Sequence, residues 1–199
     1  MSGRTLLLRQ WKDEDLEPYA AMNADAVVME YYPRLLTTAQ SAESLARQRA
    51  NLANRGWGLW VVEADGVFAG YTGLAEPGFT AHFTPCVEIG WRLRREFWGR
   101  GIAFAAATAV QSYAFERLQL AELVSFTAAI NLRSRRLMER LGFVHRASDD
   151  FLHPSLDPNS PLCRHVLYRK SRPASGPTPP ALPVAGMHAK APVAVIVSS

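Results

Sequence analysis

Glu88-Ile-Gly-Trp-Arg-Leu-Arg-Arg-Glu-Phe-Trp-Gly-Arg-Gly-Ile-Ala103 decides the reading of this chain. An apolar strand runs into a basic turn, and glycines then open a long apolar helix. Small residues at Gly99, Gly101 and Ala103 let the backbone bend sharply and let a ligand approach it closely. The unpaired amides and positive dipole end of the following helix attract phosphate. Arg92, Arg94, Arg95 and Arg100 add formal positive charge. The segment reads as an anion site suited to a pyrophosphate.

Upstream of it, Thr5 to Gln10 reads as a strand, and Asp13-Glu-Asp-Leu opens a helix with acidic residues where the dipole favours them. Thr37-Thr-Ala-Gln caps a second helix that runs to about Asn54 and stops at Arg55-Gly56. Between the helices lies an apolar connection, Val27 to Pro33, that a purely structural reading does not need. Trp57 to Glu63 and Val67 to Leu74 flank Ala64-Asp65-Gly66 as a hairpin, and Glu76 to Pro85 is a loop before the strand Cys86 to Leu93. Downstream, Ile102 to Leu118 is a helix, Glu122 to Thr127 a strand, and Asn131 to Leu141 a basic amphipathic helix ended by Gly142. Phe143 to Ala147 and Cys163 to Arg169 complete the strands, on either side of a loop from Asp149 to Pro161. This alternation predicts an α/β (α+β) fold, a mixed and mostly antiparallel central sheet flanked by helices.

A chain of 199 residues, 48% hydrophobic and 20% charged, suits one globular domain. A net charge of +4 without any long basic run argues against nucleic acid as a general partner and for a small polyanion. Cys86 and Cys163 form no C-x-x-C pattern and read as buried, reduced thiols. No stretch approaches a membrane span or a signal peptide, which places the protein in the cytoplasm with no membrane partner. From Ser171 the composition turns to Pro, Ala, Gly and Val, so residues 1–170 read as the domain and 171–199 as a disordered tail. Val193 to Val197 is the exception, a β-prone run able to dock on a sheet edge.

Trp98-Gly99-Arg100-Gly101-Ile102-Ala103 resembles the acyl-CoA-binding signature of the GNAT acetyltransferases, Gln/Arg-x-x-Gly-x-Gly/Ala, with Trp98 departing from its first position. The Trp-Gly-x-Gly form resembles the RimJ/RimL-like branch, which acetylates protein N-terminal amines and assorted small amines. Asn131-Leu-Arg-Ser134, followed by Leu141-Gly-Phe143, resembles that branch's second signature. The likeness covers roughly residues 4 to 170. It implies a sheet whose two strands around the cofactor helix splay apart to admit a pantetheine arm. It also implies acetyl-CoA as cosubstrate, no metal, a small-molecule amine or peptide N-terminus as acceptor, and a monomer or homodimer.

Acetyl transfer from a thioester to an amine needs a free amine, a stabilised oxyanion and a protonated leaving thiolate. Glu88 lies on the strand face opposite Val87 and Ile89, so it is a candidate base and acceptor contact, with an arginine ion pair as its structural alternative. The resemblance gives the thioester carbonyl to backbone amides near Trp91, Arg92 and Leu93. Amides from Phe97 through Trp98, Gly99, Arg100, Gly101 and Ile102, with small Ala103 beside them, would hold the pyrophosphate, and Arg94 or Arg100 would add side-chain contacts. Asn131 suits a helix cap, whereas the resemblance makes it a pantetheine contact and puts the Ser134 hydroxyl near the sulfur. Many family members carry a tyrosine acid one turn later; here that region reads Arg135-Arg-Leu-Met138, which leaves Ser134, or a water it holds, as the candidate acid. The resemblance makes Tyr31, Tyr32 and Pro33 the acceptor wall, with core packing as the competitor. His82 is a loop residue within possible reach of it, more simply read as solvated.

Two other functions compete. Gly99-Arg-Gly101 after a strand admits a nucleotide-binding protein, although Phe104 stands where a dinucleotide fingerprint needs a small residue. Trp98 and the missing tyrosine admit a non-catalytic acyl-CoA sensor. No cysteine or serine sits in a nucleophile motif, which favours direct transfer over a covalent enzyme intermediate.

Overall fold

The computed structural model describes residues 4–173 and the backbone of 193–197. Strand β1 (Arg4–Arg9) leads through a 3-10 turn at Asp13–Asp15 into α1 (Leu16–Ala24). The α2 helix (Thr38–Arg55) starts with a capping box: Thr37 Oγ1 accepts from Gln40 N at 3.2 Å and Gln40 Oε1 accepts from Thr37 N at 3.0 Å. It ends at Gly56, whose φ of 74° is the left-handed closure that glycine adopts without cost. Strands β2 (Leu59–Ala64) and β3 (Val67–Ala75) form the expected hairpin, with Asp65 and Gly66 at φ of 51° and 80° in a two-residue turn.

Strand β4 (Glu88–Leu93) feeds the glycine turn and α3 (Ile102–Ser112), which continues as a π-helical turn over Tyr113–Arg117. Then come β5 (Glu122–Ala128), α4 (Leu132–Arg140), the short β6 (Val144–His145) and β7 (Phe151–Leu152), and β8 (Arg164–Ser171). The β7 strand sits inside the segment expected to be loop, where two residues pair with β8. The β8 strand carries two residues beyond its expected end, so the change of composition at Ser171 falls within the sheet. Strand β9 (Val193–Val197) pairs antiparallel with β1, from Leu8 opposite Val193 to Arg4 opposite Val197. The run expected to be able to dock therefore extends the sheet edge; the rest of the tail expectation, residues 174–192 and 198–199, lies outside the described residues.

The strands form one mixed sheet in the order β6-β8-β5-β4-β3-β2-β1-β9, antiparallel except where β4 meets β5. Alternation along the strands gives each face its own core. Ile89 and Leu93 join Val110 of α3 and Met138 of α4 on one face. Tyr71 and Val61 join Tyr19 of α1 and Leu45 of α2 on the other. Beneath the start of α1, Arg9 makes a paired contact to Asp15 at 2.7 Å through both terminal nitrogens and meets Glu63 at 2.6 Å. Both carboxylates are thereby held against a guanidinium almost out of solvent, an arrangement that ties β1, β2 and the helix entry together.

Candidate active site

The parallel strands β4 and β5 share one register position, Glu88 opposite Val124. Val124 N donates to the Val87 carbonyl at 3.0 Å, and Ser125 Oγ donates to the Ile89 carbonyl at 2.9 Å. Past these links the strands part, and a cleft of about 500 Å³ opens between them. This is the splay that the resemblance implied and that the sequence alone could not show.

Backbone direction in β4 can be worked out from its neighbours. The Arg94 amide reaches the Ala69 carbonyl of β3 at 2.9 Å, and the Gly90 carbonyl accepts from Thr72 Oγ1 at 2.9 Å. Gly90, Arg92 and Arg94 thus turn their backbone groups to β3, while Ile89 turns its own to β5 and Trp91 and Leu93 turn theirs to the gap. The amides of Trp91 and Leu93 are the available donors for a carbonyl placed there. Arg92 is a correction: its amide faces β3, and only its side chain belongs to the cleft.

At the mouth, Gly99 and Gly101 adopt φ of 71° and 74°, and a Cβ built on either would meet no atom within 4 Å. The space over both is open, as close approach of a ligand to backbone requires. The first bond of α3 runs from Ala105 N to the Gly101 carbonyl at 3.0 Å, so the amides of Ile102, Ala103 and Phe104 have no helical partner. This cradle fits the pyrophosphate of acetyl-CoA. Trp98, the departure from the signature, donates from Nε1 to the Leu93 carbonyl at 2.9 Å and lies 4.4 Å beneath the Arg133 guanidinium.

The expected side-chain cations have engagements of their own. Arg94 Nη1 donates to the Phe68 carbonyl at 3.1 Å and Arg94 pairs with Glu96 at 2.6 Å, while Arg100 lies over Phe97 at 5.8 Å; neither lines the cleft. Arg133, Arg136 and Arg140 line it instead, from α4. Spacings of three and four put them on one helix stripe, a signal present in the basic amphipathic pattern but not assigned a ligand from sequence. Arg133 also pairs with Glu30 at 2.8 Å and so clasps the connection between α1 and α2 to α4.

Glu88 stands on the cleft floor. Burial pushes its carboxyl up to about 8, and among the described residues no hydrogen bond or ion pair engages it. The arginine pairing weighed as its structural alternative does not form. Asn131 caps α4: its Oδ1 accepts from Ser134 N at 3.1 Å and its Nδ2 donates to Thr127 Oγ1 at 3.0 Å. Asn131, Ser134, Tyr31 and Tyr32 all line the cleft. His82 does not; it is exposed and packs edge-on against Phe83. His165 is held neutral, its ring pushed down to about 4 by burial, and is no source of protons near neutrality. Cys86 is half-buried rather than buried, and burial pushes its thiol up to about 11, away from nucleophilic use. Among the described residues no group of three His, Cys, Asp or Glu could hold a metal ion, and no helix is long and apolar enough to cross a membrane.

A sheet opened between two parallel strands, with a glycine cradle at the mouth and a half-buried, unpaired carboxyl on the floor, defines an acyltransferase architecture. The chain belongs to the acetyltransferase (GNAT) domain family, which it matches over residues 5–144. It is similar to the FsC-acetyl coenzyme A-N(2)-transacetylase of Aspergillus fumigatus, 39% identical over 94 residues that make up 45% of this chain and 40% of that protein. The chain thus matches less than half the length of that relative. In structure it resembles the ribosomal L7/L12 alpha-N-protein acetyltransferase RimL in complex with coenzyme A, with a TM-score of 0.67 at 14% identity over 84% of this chain and 94% of that one. It also resembles the spermidine N-acetyltransferase of Vibrio cholerae in complex with CoA and spermine, with a TM-score of 0.66 at 18% identity over 84% and 95%.

Proposed function

We propose that this protein is an acetyl-CoA-dependent N-acetyltransferase of the RimJ/RimL-like branch that moves an acetyl group directly to a primary amine, either a small molecule or a peptide N-terminus. The observation that carries this reading is Glu88: an unpaired, desolvated carboxyl at the point where β4 and β5 part, in the cleft that the glycine cradle opens into. A carboxyl withdrawn from water in a cleft, with neither a cation nor a donor beside it, is the arrangement that proton transfer uses.

In this reading the Glu88 carboxylate takes the proton of the incoming ammonium, directly or through a water. The amine nitrogen then attacks the thioester carbonyl carbon, whose oxygen gathers charge opposite the amides of Trp91 and Leu93. The carbon–sulfur bond breaks as the attacking nitrogen sheds its second proton to water, and the departing thiolate takes a proton from the Ser134 hydroxyl, which that water restores, or from a water Ser134 holds. Arg133, Arg136 and Arg140, with the amides of Ile102 to Phe104, would hold the phosphates of the cosubstrate. A cytoplasmic protein, as monomer or homodimer, suits these roles.

The test is release of CoA thiol from acetyl-CoA against a panel of small amines and short peptides. Acetylated product with at least one amine supports the reading. Tight acetyl-CoA binding without thiol release over the whole panel would make the protein an acyl-CoA sensor instead.

A further inference from the structure

Arg92 is not explained by acetyl transfer as described. It points from β4 towards α1, on the sheet face that carries Glu88 and Gly90, and it lines the cleft. Its Nη1 donates to Asn23 Oδ1 at 2.7 Å, and its guanidinium lies 3.7 Å from the Tyr32 ring and 5.4 Å from the Tyr71 ring. All these partners are neutral. Among the described residues no carboxylate pairs with Arg92, and its Nε is buried without an acceptor. An arginine in such a place ordinarily has an anion, because a guanidinium offers five donors and its charge is costly to desolvate alone. The facing tyrosines, of which Tyr32 also takes a hydrogen bond from Arg92, offset part of that cost and leave Nε unmet.

Two residues before it, Gly90 leaves the floor open: a Cβ there would meet nothing nearer than Glu88 Oε1 at 3.9 Å. Four residues of strand separate Glu88 from Arg92, about 13 Å between Cα atoms. One strand face therefore presents a lone carboxyl, a gap and a lone guanidinium in a row, the charge pattern complementary to an amine that also bears a carboxylate.

We propose that the acceptor is a small amino acid-like molecule whose amine meets Glu88 and whose carboxylate is held by Arg92, with its chain lying over Gly90. This rests on the N-acetyltransferase reading and names the acceptor class for that same cleft. A peptide N-terminus with an acidic side chain presents the same two charges on a larger body, and the experiment separates the two sources.

The experiment compares γ-aminobutyrate and δ-aminovalerate with the matching alkylamines, and with a short peptide bearing an acidic second residue, in the parent, Arg92→Met and Arg92→Lys. The parent is expected to favour the amino acids over the alkylamines and the peptide by tenfold or more in kcat/KM. Arg92→Met should bring the amino acids to within about threefold of the alkylamines through a rise in KM, with acetyl-CoA affinity by calorimetry unchanged. Arg92→Lys should recover part of the preference. Equal losses for both amine types, or a parent that prefers alkylamines, would make Arg92 a support for Tyr32 and overturn the proposal; a parent that favours the peptide would overturn its small-molecule form. Should the parent acetylate no amine at all, the N-acetyltransferase reading fails separately. Calorimetry of δ-aminovalerate into the CoA-saturated protein then decides: binding abolished by Arg92→Met upholds the anion site, and no binding to the parent removes it.

Discussion

Ser125 Oγ donates to the Ile89 carbonyl at 2.9 Å, and this side-chain bond is made where the two parallel strands begin to part. Ser125 is 2% exposed, so its hydroxyl stands in for the backbone amide that a continuing ladder would have offered. Ser125→Ala leaves the Ile89 carbonyl unmet inside the sheet. The expected loss is about 1 to 3 kcal/mol in unfolding free energy, read from the urea midpoint. A midpoint matching the parent's would show that the splay does not depend on this bond.

Glu88→Gln should change both the pH dependence of stability and that of rate. The folded carboxyl titrates near 8 against 4.5 for the ordinary group, so between those values the folded state holds the extra proton. Stability of the ligand-free parent therefore falls as pH rises through that window and levels beyond it. The glutamine variant lacks this fall, and its melting temperature should gain on the parent's steadily from pH 5 to pH 8. With an acceptor amine of low basicity, kcat/KM of the parent should rise with pH and level above about 8. The variant should be slower by about a hundredfold or more and flat over that range. A variant that keeps the parent's rising limb would remove Glu88 from proton transfer.

Gly101→Ala separates ligand approach from packing. No protein atom lies within 4 Å of the added Cβ, so the cost to folding comes from the left-handed φ of 74° alone, about 1 to 2 kcal/mol. Acetyl-CoA affinity of the folded variant should drop tenfold or more, because the methyl occupies the space a phosphate would take. Calorimetric titration below the melting transition measures this. Affinity equal to the parent's would move the pyrophosphate elsewhere.

Arg136→Gln combined with Arg140→Gln should weaken acetyl-CoA binding about tenfold and flatten its dependence on salt, since both side chains line the cleft. Arg94→Gln should have little effect on affinity because Arg94 is engaged with Glu96 and the Phe68 carbonyl. The reverse ranking would restore the turn arginine as the phosphate contact.

Asp15→Ala should be strongly destabilising, by about 3 to 5 kcal/mol. It strips the paired contact from Arg9, whose side chain is only 8% exposed. A thermal melt that shifts by less than a degree or two would show that Glu63 alone suffices.

Much of this protein was legible in its sequence because local rules decide it. Thr37 and Gln40 announce a capping box, Asp65-Gly66 a two-residue turn, and Gly99 and Gly101 a left-handed approach to α3; each depends on residues within a few positions. The same is true of the strand alternation that put Glu88 on the face opposite Ile89. What stayed hidden depends on pairs distant in the chain. Whether Glu88 meets an arginine is settled by where α1 and α4 lie, and Arg92 goes to Asn23, 69 residues away, while Arg133 goes to Glu30 across 103. The turn arginines looked suited to phosphate because they are near it in sequence, yet Arg94 turns back to β3 with its strand's alternation, and α4 brings Arg136 and Arg140 to the cleft instead. The splay itself, one register position between β4 and β5 and then a gap, is a property of two strands some thirty residues apart and their packing on α3, which no local pattern encodes.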